Sequence, residues 1–153
     1  MRYTTKTEYG IVCLINLARR GEGQLLTIKE IAESEHYSLP YLEKILQSLR
    51  ASNIVVSHQG NQGGYTLARH PSQVTLREIV VALEGDTFDV FCEPVFRKDI
   101  VCTHLCVCGV TGVWEKTKRL LDSFFGSITL EMITNNQEEM EKVTAEVRKN
   151  FSI

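Results

Sequence analysis

The residues with the most chemistry in this chain are its cysteines, and four of the five crowd together. They run Cys92-x9-Cys102-x3-Cys106-x1-Cys108, with His104 inside the same window, whereas Cys13 stands apart in an apolar run. Thiolates are soft ligands, so three or four of them converging from a loop suit an iron-sulfur cluster or a zinc ion. Zinc usually draws on paired Cys-x2-4-Cys spacing, which only Cys102 and Cys106 offer here, with no distant second pair. Residue chemistry alone leaves iron-sulfur and zinc level, with a thiol sensor behind both.

A chain of 153 residues, 43% hydrophobic and 24% charged, has the size of one compact domain with an added dimerisation element. Collagen, low-complexity disorder and a disulfide-stapled miniprotein are excluded. No apolar run approaches the ~18 residues that a membrane-spanning helix needs, and Met1-Arg2-Tyr3-Thr4-Thr5-Lys6 has no apolar signal core. The expected location is the cytoplasm, without membrane contact, where clustered thiols serve metal or redox chemistry rather than structural disulfides. The net charge is −2. Divided after Glu84, the chain carries nine basic against eight acidic residues before the cut and eight against eleven after it. Any nucleic-acid contact must therefore rest on local geometry rather than on bulk charge.

The elements that must position this loop begin with an amphipathic helix over Thr5–Arg20, where Ile11, Leu14, Ile15 and Ala18 recur at helical spacing. Thr5-Lys6-Thr7-Glu8 has the form of a capping box, and Gly21 is a stop signal. A second box, Thr27-Ile28-Lys29-Glu30, opens a short helix that turns Ile31 and Ala32 inward and stops near Glu33-Ser34. Ser38 then caps a third helix with Pro40 in its first turn, and Leu42, Ile45, Leu46 and Leu49 form its buried stripe. Two short helices after a longer one form a helix-turn-helix pattern. The β-branched run Ile54-Val55-Val56-Ser57-His58, a polar glycine-containing turn and the returning Gly64-Tyr65-Thr66-Leu67 add a hairpin, which makes it a winged helix.

This reading puts Tyr41, Lys44, Gln47 and Ser48 on the outer side of the third helix, with Ser38 and Pro40 at its start, as groups for a DNA major groove. The wing tip carries His58, Gln59, Asn61 and Gln62, which can bond phosphates or minor-groove acceptors, but no arginine. A fourth helix opens at the box Thr75-Leu76-Arg77-Glu78, buries Leu76, Ile79, Val80 and Leu83 and ends at Gly85. Periodicity then fails until a long stripe of Val113, Thr117, Leu120, Leu121, Phe124, Phe125 and Ile128, with Trp114 beside it. So broad a stripe in so short a chain calls for the same helix of a second subunit, in competition with packing on the first helix. The expected fold is mostly α with a small two-stranded β wing. Residues 1–85 form the winged helix-turn-helix DNA-binding domain, 86–112 the cysteine-rich loop, 113–134 the dimerisation helix and a return segment, and 135–153 a charged tail with helical potential.

Several of these motifs, in this order, resemble the Rrf2 family of bacterial regulators. They are Glu8-Tyr9-Gly10, Ser38-Leu39-Pro40-Tyr41-Leu42-Glu43-Lys44-Ile45-Leu46, the stretch from Gly60-Asn61-Gln62-Gly63-Gly64 through Tyr65-Thr66-Leu67-Ala68, Ile79-Val80 with Leu83-Glu84-Gly85, and a cysteine loop before Trp114. The resemblance covers residues 1–133. It implies a homodimer whose paired winged helices bind a pseudo-palindromic operator in double-stranded DNA. It also implies a 2Fe-2S or, second, a 4Fe-4S cluster held by three loop cysteines and responsive to cluster status, redox state or nitric oxide.

Relatives of this kind place the last cysteine shortly before the tryptophan, as Cys108 stands here, with another a few residues upstream, as at Cys102. The implied trio is Cys92, Cys102 and Cys108. The gap from Cys92 to Cys102 exceeds the family's usual spacing and Cys106 is additional, so Cys106 can replace a neighbour, supply the fourth ligand or be a plain loop thiol. In some relatives the fourth ligand is a carboxylate from the first helix of the partner subunit, a position that Glu8 matches, in competition with its capping box; His104 and Cys106 are the other candidates. The combined expectation is a transcriptional repressor whose operator affinity is set by the cluster. The alternatives are the same fold sensing by thiol oxidation or a protein partner and, from another class, a thiol-dependent oxidoreductase. The last lacks both a Cys-x-x-Cys helix start and a nucleotide-binding glycine loop after a strand, so the chain is read as no enzyme.

Overall fold

Three of the first four helices are ordered by side chains at their N-termini, and one of those caps comes from elsewhere in the chain. The computed structural model describes residues 3–60, 63–89 and 108–135. Its elements are α1 (Thr5–Arg20), α2 (Ile28–Glu35), α3 (Leu39–Ala51), β1 (Val55–His58), β2 (Gly64–Leu67), a 3-10 turn (Pro71–Gln73), α4 (Leu76–Glu84), α5 (Gly109–Ser127) and α6 (Leu130–Asn135). The capping boxes at Thr27 and Thr75 close as expected. Thr27 N–H donates to Glu30 at 2.8 Å and Glu30 N–H to Thr27 Oγ1 at 3.2 Å; the Thr75–Glu78 pair repeats this at 2.9 and 3.2 Å.

The box expected at Thr5 does not form, because Thr5 is already helical. Thr4 is the N-cap and accepts from Lys6 N–H. The carboxylate that completes this cap belongs to Glu84, at the end of α4: it accepts from Thr4 N–H at 3.1 Å, Thr4 Oγ1 at 2.6 Å and Thr7 Oγ1 at 2.5 Å. Lys6 Nζ donates to Leu83 O at 2.8 Å, so the start of α1 is fastened to the end of α4. Two other sequence expectations shift. Ser38 occupies the N-cap position of α3 without making a side-chain cap, and α2 continues to Glu35, where His36 stops it in the left-handed region (φ 58°).

The core joins the inner faces of α1, α2, α3 and α4: Leu14, Ile31, Leu42, Ile45, Leu46, Leu49, Ile54 and Ile79 are all inaccessible to solvent. Strands β1 and β2 pair antiparallel in the register Val55↔Leu67 to His58↔Gly64. Leu26, between α1 and α2, adds a bridge to this hairpin, exchanging backbone bonds with Tyr65 at 3.0 and 2.9 Å. Gly64 permits that approach, since a Cβ there would stand 2.8 Å from Leu26 O. The wing is therefore tied to the helical core at its root.

The short α6 also belongs to this core. Leu76 N–H donates to Ile128 O and Leu130 N–H to Val74 O, both at 2.8 Å, around an antiparallel Thr75↔Thr129 bridge. Leu130 is fully buried beside α1. Ile128, expected on the dimerisation stripe, is 1% exposed and thus spoken for within its own subunit. Its backbone is held by the start of α4, which turns its side chain inward. Helix α5 runs back antiparallel along α4. Among the described residues no helix is long and apolar enough to cross a membrane.

Leu130→Ala is expected to cost about 2–5 kcal/mol in denaturant unfolding, the range for truncating a buried leucine, because α6 completes the core of the winged helix. Burial would raise the pKa of Glu84, but hydrogen bonds from Thr4 and Thr7 outweigh it, and its carboxyl lies below the ordinary 4.5. A depressed carboxylate stabilises the fold above its unfolded pKa, and that stabilisation disappears as pH falls through the folded value. Thermal unfolding of the wild type should therefore lose stability below about pH 4.5 faster than that of Glu84→Gln.

Candidate functional site

On α3 the buried stripe faces the core and leaves Glu43, Lys44 and Gln47 exposed on the outer face, with Pro40 and Ser38 exposed at its start. Of the side chains expected on that face, two are engaged within the subunit. Ser48 donates to Lys44 O at 3.1 Å. Tyr41 is half-buried: its ring meets Tyr9 edge-on with centroids 5.6 Å apart, and its hydroxyl lies 3.2 Å from Thr5 Oγ1. Tyr9 in turn stacks on Tyr37 at 3.8 Å. This aromatic set fixes the start of α3 against α1, so Tyr41 orients the helix as much as it offers a hydroxyl outward.

The wing adds His58 and Gln59, both exposed, with His58 Nε2 3.0 Å from Thr66 Oγ1 across the hairpin. Asn61 and Gln62 lie outside the described residues. Arg50, not singled out from sequence, donates to Ser57 Oγ at 3.0 Å and so links the end of α3 to β1. A basic residue in a last helical turn reads as ordinary dipole compensation, which hid this arginine. The outer surface thus presents Lys44, Gln47, Arg50, His58 and Gln59 along one helix and one hairpin, the shape that enters a DNA groove and flanks its phosphates.

Of the cysteine loop, Cys108 is described; Cys92, Cys102, His104 and Cys106 lie outside the described residues. Cys108 holds the N-cap position of α5 as a free, half-buried thiol without a capping bond. Cys13 is inaccessible, and burial, with Glu35 nearby, pushes its thiol up to about 12, as befits an inert core residue. Glu8 is exposed on α1, and with the cap supplied by Glu84 it makes no side-chain hydrogen bond or ion pair among the described residues. No group of three or more metal-ligating side chains occurs among the described residues.

The loop is fastened at both ends. Before it, Thr87 is 1% exposed; its hydroxyl donates to Asp122 of α5, and its carbonyl accepts from Tyr3 at 3.0 Å. Phe88 packs against Trp114, ring centroids 5.7 Å apart. Asp86 pairs with Lys118, and Asp122 also accepts Arg77 at 3.2 Å. Trp114 and Phe125, the latter against Tyr3, thus make ring contacts within their own subunit while staying partly exposed. The rest of α5 is less covered. No residue of this helix is fully buried, and Val110 and Val113 are 47% and 58% exposed in line with half-exposed Thr117, Leu120, Leu121 and Phe124.

A family profile described as an iron-dependent transcriptional regulator, Rrf2, matches residues 3–136. The chain belongs to the Rrf2 family. It is similar to the Rrf2 protein of Nitratidesulfovibrio vulgaris, at 30% identity over 130 residues and 85% of each chain. The solved structure of CymR, the global cysteine regulator of B. subtilis, superposes with a TM-score of 0.67 at 28% identity, covering 88% of this chain and 96% of that one. T. potens IscR gives 0.63 at 30% identity, with 97% and 91% covered. This Rrf2 chain is therefore a winged-helix DNA-binding transcriptional regulator, in a family of regulators rather than enzymes. In it, Lys44→Ala should weaken binding to operator and unrelated duplexes alike and lower the salt dependence of log Kd by about one, as measured by fluorescence anisotropy across a salt series.

Proposed function

We propose that this regulator acts in the cytoplasm as a homodimeric repressor whose operator affinity is controlled by an iron-sulfur cluster, 2Fe-2S in the leading form. The cluster would be held by Cys92, Cys102 and Cys108, with Glu8 of the partner subunit, His104 or Cys106 as fourth ligand. The observation that carries the reading is Cys108: a free, half-buried thiol at the joint between the cysteine window and the one long helix with an uncovered apolar face. The donor set suits the group, since several thiols in one loop are soft ligands and an imidazole also binds iron, and Glu8, outside the α1 cap, makes no side-chain hydrogen bond or ion pair among the described residues. The family's description as iron-dependent is in keeping with it. When bound, the cluster supplies a redox-active centre that oxidants or nitric oxide can alter.

The chain's own residues would do the rest. The stripe of Val110, Val113, Thr117, Leu120 and Phe124 recurs at three- and four-residue steps, the spacing by which a helix packs against a second copy of itself. Such a dimer pairs two copies of α3 with two successive major grooves, with Ser38, Pro40, Tyr41, Gln47 and Ser48 toward the bases, Lys44 toward the phosphates, and His58, Gln59, Asn61 and Gln62 toward the flanking backbone. Purification without oxygen should give iron and acid-labile sulfide in equal amounts with broad visible absorption, both lost in Cys102→Ala. Zinc, or no metal, would overturn cluster control and leave a thiol- or partner-sensing regulator.

A further inference from the structure

The chain enters the cysteine window from a partly buried polar junction, centred on buried Thr87, that nothing in the DNA-binding surface requires. Two carboxylates and two cations meet there from three segments. Asp86, in the linker after α4, accepts from its neighbour Thr87 N–H at 2.7 Å and from Lys118 of α5. Asp122, one turn further along α5, accepts from the Thr87 hydroxyl and from Arg77 of α4 at 3.2 Å. Charges balance within the set, and Asp86, Lys118 and Asp122 keep only about a quarter of their side-chain surface exposed. The Thr87 hydroxyl has one proton to donate and lies within reach of both carboxylates, so a displacement of Thr87 loosens α5 from both α4 and the linker.

Thr87 and Phe88 are also the first anchored residues before the window, and Phe88 meets α5 one turn above Lys118, at Trp114. A change in the loop therefore pulls on the group that sets how α5 lies against α4. Helix α4 in turn packs on α3 through the core and carries Glu84, which clamps the start of α1. If α5 is the dimer axis, its tilt against α4 sets the separation of the two copies of α3.

We infer that Thr87, with the Asp86–Lys118 and Asp122–Arg77 pairs, is a clasp of positioning residues that passes the state of the cysteine loop to the recognition helices. The inference rests on the proposed cluster control. The clasp makes the junction a defined mechanical coupling rather than a passive linker, because the Thr87 hydroxyl is buried and its one proton ties the linker to α5 in a single preferred arrangement.

The test uses the full chain, purified without oxygen, as wild type, Thr87→Val and Thr87→Ser. Iron content, thermal midpoint and operator affinity are measured before and after removing the iron with a chelator. Valine keeps the volume of Thr87 and removes the hydroxyl; serine keeps the hydroxyl. The expected result is wild-type iron content and a thermal midpoint within a few degrees for Thr87→Val, with the ratio of loaded to emptied operator affinity falling to within about twofold of one. Thr87→Ser should restore the wild-type ratio. Should Thr87→Val fail to hold iron, Asp122→Asn replaces it with the same expectation. An unchanged ratio in an iron-loaded variant would overturn the clasp alone, whereas a wild-type ratio of one would overturn cluster control and the clasp with it.

Discussion

Among the described residues, the two ends of the cysteine window meet the winged helix through the antiparallel pairing of α4 and α5. The two helices are joined at one end by the Leu76–Ile128 and Val74–Leu130 backbone bonds and at the other by the Asp86–Lys118 and Phe88–Trp114 contacts. In sequence, the cysteine window lies between these two helices. Because α4 also contributes Ile79 and Leu83 to the core beneath α3, and Glu84 to the cap of α1, the frame that presents the recognition helix and the frame that holds the loop share one helix. Loss of that pairing would leave a winged helix that still folds around α1 and α3 but has no fixed relation to α5.

That shared helix also explains how the faces of α5 are divided. Trp114, Lys118, Asp122 and Phe125 contact their own subunit, while Val110 and Val113 are exposed and Thr117, Leu120 and Phe124 are only partly covered among the described residues. The competing expectation, packing on the first helix, has a counterpart in the Tyr3–Phe125 contact just ahead of α1. An uncovered apolar stripe of this kind on a regulator is the feature that a second copy would cover.

Much of the frame is legible in the sequence, because its signals are local. The Thr27 and Thr75 capping boxes, the Leu42–Leu49 stripe and the β-branched run before a glycine turn each act over a few residues, and each forms the element its pattern predicts. What was not legible depends on partners remote in sequence. Thr5-Lys6-Thr7-Glu8 has the spacing of a cap, yet Glu84 supplies that carboxylate from eighty residues away, which leaves Glu8 outside the cap. Ile128 fits the α5 stripe by periodicity, but a backbone bond from Leu76 turns it into the core. Tyr41 lies off the buried stripe, yet Tyr9 and Thr5 draw it against α1. Arg50 and the Asp86–Thr87–Asp122 junction carry no motif at all, since each exists only where separate segments meet.

The central claim is that the state of the cysteine loop changes how far apart a dimer holds its two recognition helices. It is tested most directly by placing a nitroxide on a ketone-bearing amino acid at position 47, which spares the cysteines, and measuring the distance between the two labels by pulsed electron spin resonance. Iron-loaded and chelator-treated protein should give different distance distributions in the absence of DNA. Superimposable distributions from samples that differ fully in iron content would contradict the account.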